Sequence, residues 1–386
     1  MRVIRRAFRT VPALAVAVLV TACSSSGGAG TPPRVAPDVR PDVSVEFVYV
    51  PNSVSNTISA YQISSGSLSQ ITGSPFSAGT GPEGIAIDPL GGFAYVADNG
   101  SNEVSVYSIN ASTGALTQIS GSPYSTGTGP NAVAIDSHGR FAYVTNGNSN
   151  NISAYTINGS TGALTAVSGS PFSAGTYPDA IAVDPKAKFV YAANSSTNNV
   201  SGYSYNGSGA LSQVTGSPFA AGTGPNGLAI APNGKFTFVT NFSSNNISGY
   251  SVNAATGALT ALSKSPFATA TGPYGVAITP NGSFAYVGNF SANEVSGYDI
   301  TTSGPLRAIP GSPFTAGTGP HAIAIDPAGK VVYAVNETSW SVSGYKITLN
   351  TGALTAVHGS PFGTGQYPMA IATCRVVNGA CVPPPL

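Results

Sequence analysis

Charge is scarce in this 386-residue chain: Asp, Glu, Lys and Arg make up 8% of it, with 15 basic residues against 14 acidic ones. With no basic stripe to neutralise a phosphate backbone, nucleic acid is not an expected partner. Histidine and cysteine occur three times each and tryptophan once. G-x-S-x-G, C-x-x-C and H-E-x-x-H are all missing, so a nucleophile elbow, a paired-thiol motif and a helical zinc motif have no support. No segment carries a 3.6-residue apolar period, and the apolar stretch from Val11 to Ala22 is too short to span a bilayer. What the chain has instead is 47 glycines, 30 prolines and regularly spaced tyrosine and phenylalanine, the composition of an all-β chain built on many turns.

The N-terminus reads as an export signal over residues 1–22, with Arg2, Arg5, Arg6 and Arg9 ahead of the apolar stretch. It ends in Val20-Thr21-Ala22-Cys23, which resembles the lipobox of bacterial lipoproteins. That resemblance implies a lipid on Cys23 and a place at the bacterial cell envelope, and Ser24 after it implies the outer membrane, with the body facing the periplasm or the surface. Residues 23–44, rich in Ser, Gly and then Pro, cannot bury apolar surface and are expected to act as a tether. Loss of the four leader arginines leaves eleven basic residues against 14 acidic ones, a net charge near −3. In the tail, residues 375–386, Asn378-Gly379 is a tight-turn signal that brings Cys374 and Cys381 together. In an oxidising compartment a disulfide is the expected reading, ahead of a two-cysteine metal site.

Gly79-Thr80-Gly81-Pro82-Glu83-Gly84 fits G-x-G-x-x-G, but a short β-type run, Ile85-Ala86-Ile87-Asp88, follows it where a dinucleotide site needs a helix. Related strings recur six more times, so the motif reports architecture. Ser-Pro-Phe/Tyr places prolines at 75, 123, 171, 218, 266, 313 and 361, a period of 47 or 48 residues that lies between those of two propeller repeats. One unit reads as four strands, at about 132–136, 141–145, 151–157 and 164–168, separated by turns such as "DSHG" and "NGSTGA". Seven such units predict a seven-bladed β-propeller over residues 45–374, with four antiparallel strands per blade. The chain begins on a second-strand segment near Phe47 and returns to a first-strand segment at Met369 to Thr373. The closing blade must therefore combine three N-terminal strands with one C-terminal strand, which hides both edges. Alanine at 86, 134, 182, 229, 277, 324 and 372 marks the innermost strand, where converging blades leave little room.

Units such as Phe141-Ala142-Tyr143-Val144-Thr145-Asn146, followed by Asn151-Ile152-Ser153-Ala154-Tyr155, resemble the YVTN-type repeats of the seven-bladed β-propeller lactonase family, which includes 6-phosphogluconolactonase-like proteins. The resemblance implies the propeller and a lactone hydrolase, a carboxylic ester hydrolase, with His, Glu and Arg at the channel mouth. After the leader and tether the only arginines are Arg140, Arg307 and Arg375, so a cationic clamp for a phosphorylated sugar lactone is missing.

One column varies within the repeat: Glu83, Asn131, Asp179, Asn226, Tyr274, His321 and Met369, at the start of the inner strand. These residues are expected to ring one channel mouth, joined by loop residues Asp98, Asn99, Asn146, Phe242, Phe290 and Glu337. The first six form a candidate ligand-binding set, and Glu83 and His321 are the candidate catalytic pair, either able to act as general base. Glu83, Asn131, Asp179 and Asn226 offer hard oxygens on four consecutive blades, a candidate calcium site. The residues by themselves favour binding of a polar small molecule, glycan or envelope protein by a monomer. The alternative is hydrolysis of a sugar lactone, with or without a divalent metal.

Overall fold

The computed structural model describes residues 45–186 and 188–384, and these contain strands but no helix. The leader, Cys23 and the tether lie outside the described residues. Seven antiparallel sheets follow one another around an axis, as the repeat predicts. In a representative blade the order is Pro130–Ile135 innermost, then Phe141–Asn146, Asn151–Ile157 and Leu164–Ala166. The outer edge is not one strand. Leu164–Ala166 pairs one end of the third strand and a two-residue strand, Phe172–Ser173, pairs the other. The Ser-Pro repeat occupies the gap between them. Ser170 Oγ accepts the Ala154 N–H at 2.9 Å, a donor of the third strand at the break, and the serines of the other six copies do the same. A buried backbone donor must find a partner, which explains why serine recurs there.

Blades are joined by packing and by tyrosine. Seven clusters of buried side chains occupy the seven interfaces between neighbouring sheets. In the second strand Tyr143 is fully buried and donates its hydroxyl to the Gly209 carbonyl of the next blade at 3.1 Å. In the third strand Tyr155 donates backwards, to the Ser125 carbonyl at 2.7 Å. Each large ring thus supplies apolar area while its polar tip is satisfied. The column departs once, at Phe238, which is buried with no hydroxyl.

The ring closes as expected, with three N-terminal strands beside one from the C-terminus. Glu46–Asn52 pairs antiparallel with Ala372–Val377, and Tyr333 of the preceding blade donates to the Gly66 carbonyl at 2.9 Å. The returning strand begins at Ala372, three residues later than the sequence suggests, and before it the Met369 N–H meets only the Pro51 carbonyl. It also runs past residue 374. A turn at Asn378-Gly379 leads into Ala380–Val382, a further strand on the same sheet. The Cys374–Cys381 disulfide ties this hairpin, and the Cys381 N–H donates to the Gly91 carbonyl of the adjacent blade.

The inner strand explains its own composition. Ile85 and Ile87 pack toward the preceding blade and Ala86 toward the following one. A Cβ at Gly84 would lie 2.6 Å from the Asn131 carbonyl, so neighbouring inner strands approach too closely for more than the smallest side chains at that level.

Candidate functional site

Inner strands open with a proline paired to the last residue of the second strand, and the register then slips by one. The slip falls between Pro82 and Gly84, Pro130 and Ala132, Pro178 and Ala180, Pro225 and Gly227, and Pro320 and Ala322; between Pro273 and Val276 the slip is the same but the unpaired stretch is one residue longer. The residues skipped are Glu83, Asn131, Asp179, Asn226, His321 and Tyr274. A bulge frees the extra residue from the ladder and redirects its side chain. All six, with Met369, line a cavity of 210 Å³ at this end of the channel.

The mouth has two unlike halves. On one side Asn99 Nδ2 donates to Asn131 Oδ1 at 2.8 Å, and Asn131 Nδ2 donates to Asp179 Oδ1 at 3.3 Å. Burial pushes the Glu83 carboxyl up to about 8, with nearby Asp179 and Glu337 adding to the effect, and burial raises Asp179 to about 7. Tyr177 belongs here too. Asn131 hydrogen-bonds its hydroxyl, and the Asp179 and Glu83 charges act on it. Sequence reasoning missed it, although "GTYP" departs from "GTGP" at that residue, where tyrosine takes a left-handed φ of 55°.

On the other side Phe242, Tyr274, Phe290 and His321 form an aromatic wall, with Tyr274 and His321 ring centroids 3.8 Å apart. His321 Nδ1 lies 2.7 Å from the Met369 carbonyl, which can only accept, so Nδ1 carries the proton and Nε2 keeps its lone pair. Burial pushes the imidazole down to about 4, outweighing that hydrogen bond, so the ring is neutral at pH 7. Nε2 stands 3.9 Å from Glu337 Oε2, a carboxyl whose own pKa burial raises.

Two loop residues expected at the mouth are elsewhere. Asp98 and Asn146 end their second strands fully buried, and Asn146 Nδ2 bonds Asn151 Oδ1 and Ser153 Oγ inside the blade. The asparagines at this position each bond a serine of the third strand and so hold the second and third strands together. Trp340 stands exposed in a left-handed turn that asparagines such as Asn56 and Asn102 occupy in other blades.

The four calcium candidates, Glu83, Asn131, Asp179 and Asn226, all line this cavity, where Asn131 Oδ1 accepts from Asn99 and its Nδ2 faces Asp179. Among the described residues no group of three or more His, Cys, Asp or Glu side chains is placed to share a metal ion.

A seven-bladed propeller with a polar, bulge-lined mouth defines the class. The model of the lactonase family, described as a seven-bladed β-propeller, matches residues 20–128, 121–272 and 203–371, and the chain belongs to that family. No curated protein matches the sequence. Among solved structures, a periplasmic gluconolactonase of Pseudomonas aeruginosa superposes with a TM-score of 0.74 at 18% identity, over 88% of this chain and all of that one (100%). A candidate 6-phosphogluconolactonase of Bacteroides fragilis gives a TM-score of 0.75 at 17% identity, over 86% and 98%. A protein of Lactobacillus plantarum gives 0.73 at 20%, over 86% and 99%. At these identities the structural likeness speaks for the fold.

Proposed function

We propose that the mouth hydrolyses lactones that carry no phosphate. The observation that carries this reading is the opposed protonation of two groups in one cavity. His321 is neutral with a free Nε2, while Glu83 retains its proton at pH 7. Environments that push two groups apart in this way assign the acid and the base.

In the proposed reaction Nε2 of His321 takes a proton from water as its oxygen adds to the lactone carbonyl carbon. Glu337 stabilises the imidazolium that forms. Glu83 hydrogen-bonds the carbonyl oxygen as it gains charge, then delivers its proton to the ring oxygen as the C–O bond breaks. Family membership favours this over binding alone. The residues lining the cavity include no Lys or Arg. A phosphate would meet three carboxyl groups and no cation, so phosphogluconolactone is disfavoured. We place the propeller at a bacterial envelope, tethered through lipid on Cys23; a Cys23→Ala chain that stayed in the membrane fraction would contradict that placement.

The direct test is an assay of the intact protein on glucono-lactone and its 6-phosphate, with and without calcium. Turnover of the neutral lactone, with a rate that rises above about pH 4 and falls above about pH 8, is the expected outcome. No turnover of any lactone, or a preference for the phosphate ester, would sink the reading.

A further inference from the structure

A second cavity, of 320 Å³, lies on the same axis at the far ends of the inner strands. Its wall is apolar: Ile87, Ile135, Val183, Ile230 and the repeated alanines, with Thr373 as its one hydroxyl. That hydroxyl is already spent on the Ile325 carbonyl, at 2.8 Å. Ile85, Val133 and Leu228 line both this cavity and the mouth. They form an apolar collar between a polar chamber and an apolar one.

The far end is built. Pro383 and Pro384 line the lower cavity together with Pro89, Pro185 and Pro232 of the inner-strand turns. They are delivered there by the hairpin that the Cys374–Cys381 disulfide ties and that the Cys381 N–H fastens to Gly91. The two chambers measure 210 and 320 Å³, and small-molecule sites run from about 300 to 1,000 Å³. The mouth alone falls short of that range; the pair falls within it.

We propose that the substrate is a lactone bearing an unbranched aliphatic chain, its ring held between Glu83 and His321 and its chain passing the collar into the lower cavity toward Pro383 and Pro384. This rests on the hydrolase reading and adds the substrate class to it. No side chain of that chamber has a hydrogen-bonding group left free for sugar hydroxyls, whereas each methylene moved from water into it is favourable.

The test is a series of γ-lactones on the intact protein: γ-butyrolactone, γ-octalactone and γ-dodecalactone, with no side chain, a butyl and an octyl chain. The expected result is that kcat/KM rises by about two- to fourfold per added methylene while the chain still lengthens inside the cavity. Pro384→Asp places a charge at the far end, beyond the last strand, and is expected to lower kcat/KM for γ-dodecalactone at least tenfold while leaving γ-butyrolactone unchanged. Equal kcat/KM across the series, or a Pro384→Asp protein that keeps the full preference for the octyl chain, overturns the proposal without touching the hydrolase reading. Should no lactone turn over, the hydrolase reading fails by itself, and calorimetric titration with γ-dodecalactone and γ-butyrolactone decides the cavity. Tighter binding of the longer ligand, weakened by Pro384→Asp, supports occupancy by a chain; no difference between them overturns it.

Discussion

The two ends of the channel are made from the same seven strands and obey opposite rules. At the mouth the residue after proline slips out of register, points into the cavity, and differs in every blade except where asparagine repeats. Three residues further along, the ladder is regular and alanine recurs in every blade, followed in most by isoleucine. Geometry accounts for the difference. A residue in the ladder must fit between two neighbouring blades, so its size is fixed by packing. A bulged residue faces open space and is free to take whatever chemistry a ligand selects.

The sharpest way to break this comparison is at the mouth. Glu83→Gln combined with His321→Gln leaves the volume of the site almost unchanged and removes both the proton held by one group and the base supplied by the other. Lactone turnover is expected to fall by about 10²- to 10⁴-fold in a protein that still melts cooperatively and no earlier than its parent. Retention of full activity would make the bulged column ornamental.

The same glutamate should act in the opposite sense on stability. Folding raises its pKa from an ordinary 4.5 to about 8, so the folded state holds a proton that the unfolded chain has lost between those values. Its contribution is therefore complete below about pH 4.5 and declines as pH rises toward 8; Asp179 has the same sign up to about 7. Glu83→Gln removes the penalty. At pH 8 the variant is expected to exceed the parent by on the order of 2 kcal/mol in denaturant titrations, and at pH 4 the two should coincide. A variant weaker than the parent at pH 8 would mean that the carboxylate is stabilised in the fold.

Below the collar a substitution of comparable size tests packing. Ala182 lies in the interface with the blade of residues 225–268, against Tyr191, Val239 and Ile230. Ala182→Leu is expected to cost about 1 to 3 kcal/mol, read as a lowered melting temperature, because the neighbouring inner strands have no room to separate. An unchanged transition would show that this end, too, tolerates variation.

These contrasts also explain how much could be read from the sequence. The period, the four segments per unit and the shared closing blade follow from recurring Ser-Pro-Phe, Asn-Gly turns and alanine, all of which are set by local backbone and packing. The variable column was legible as the place where repetition fails. The bulge that turns Glu83 and His321 inward was not, because nothing in proline-x-small residue distinguishes a slipped ladder from a regular one. Asp98 and Asn146 were misplaced for the converse reason. Polar residues at a loop entrance read as solvent-facing, yet both are buried, and Asn146 finds its partners in Asn151 and Ser153 on the adjacent strand, five and seven residues away in the chain. Pairing of His321 with Met369 and Glu337, and sharing of collar residues by two cavities, depend on several blades at once and leave no local signal.

The smallest test uses the one blade in which a packing column departs from its own rule. Tyr49, Tyr95, Tyr143, Tyr191, Tyr286 and Tyr333 each donate a hydroxyl to a glycine carbonyl of the following blade, whereas Phe238 has nothing to donate. Phe238 is equally buried, and Gly304 approaches Phe236 as Gly257 approaches Phe189 one blade earlier, so the acceptor stands where a tyrosine would reach it. Tyr143→Phe leaves the Gly209 carbonyl without its donor and is expected to destabilise by about 1 kcal/mol. Phe238→Tyr is expected to gain up to about the same amount. If packing sets this column, as the contrast with the mouth requires, the two changes should be opposite in sign. A Phe238→Tyr protein less stable than its parent would mean that the blade of residues 225–268 has been shaped by something other than its neighbour, as the mouth has.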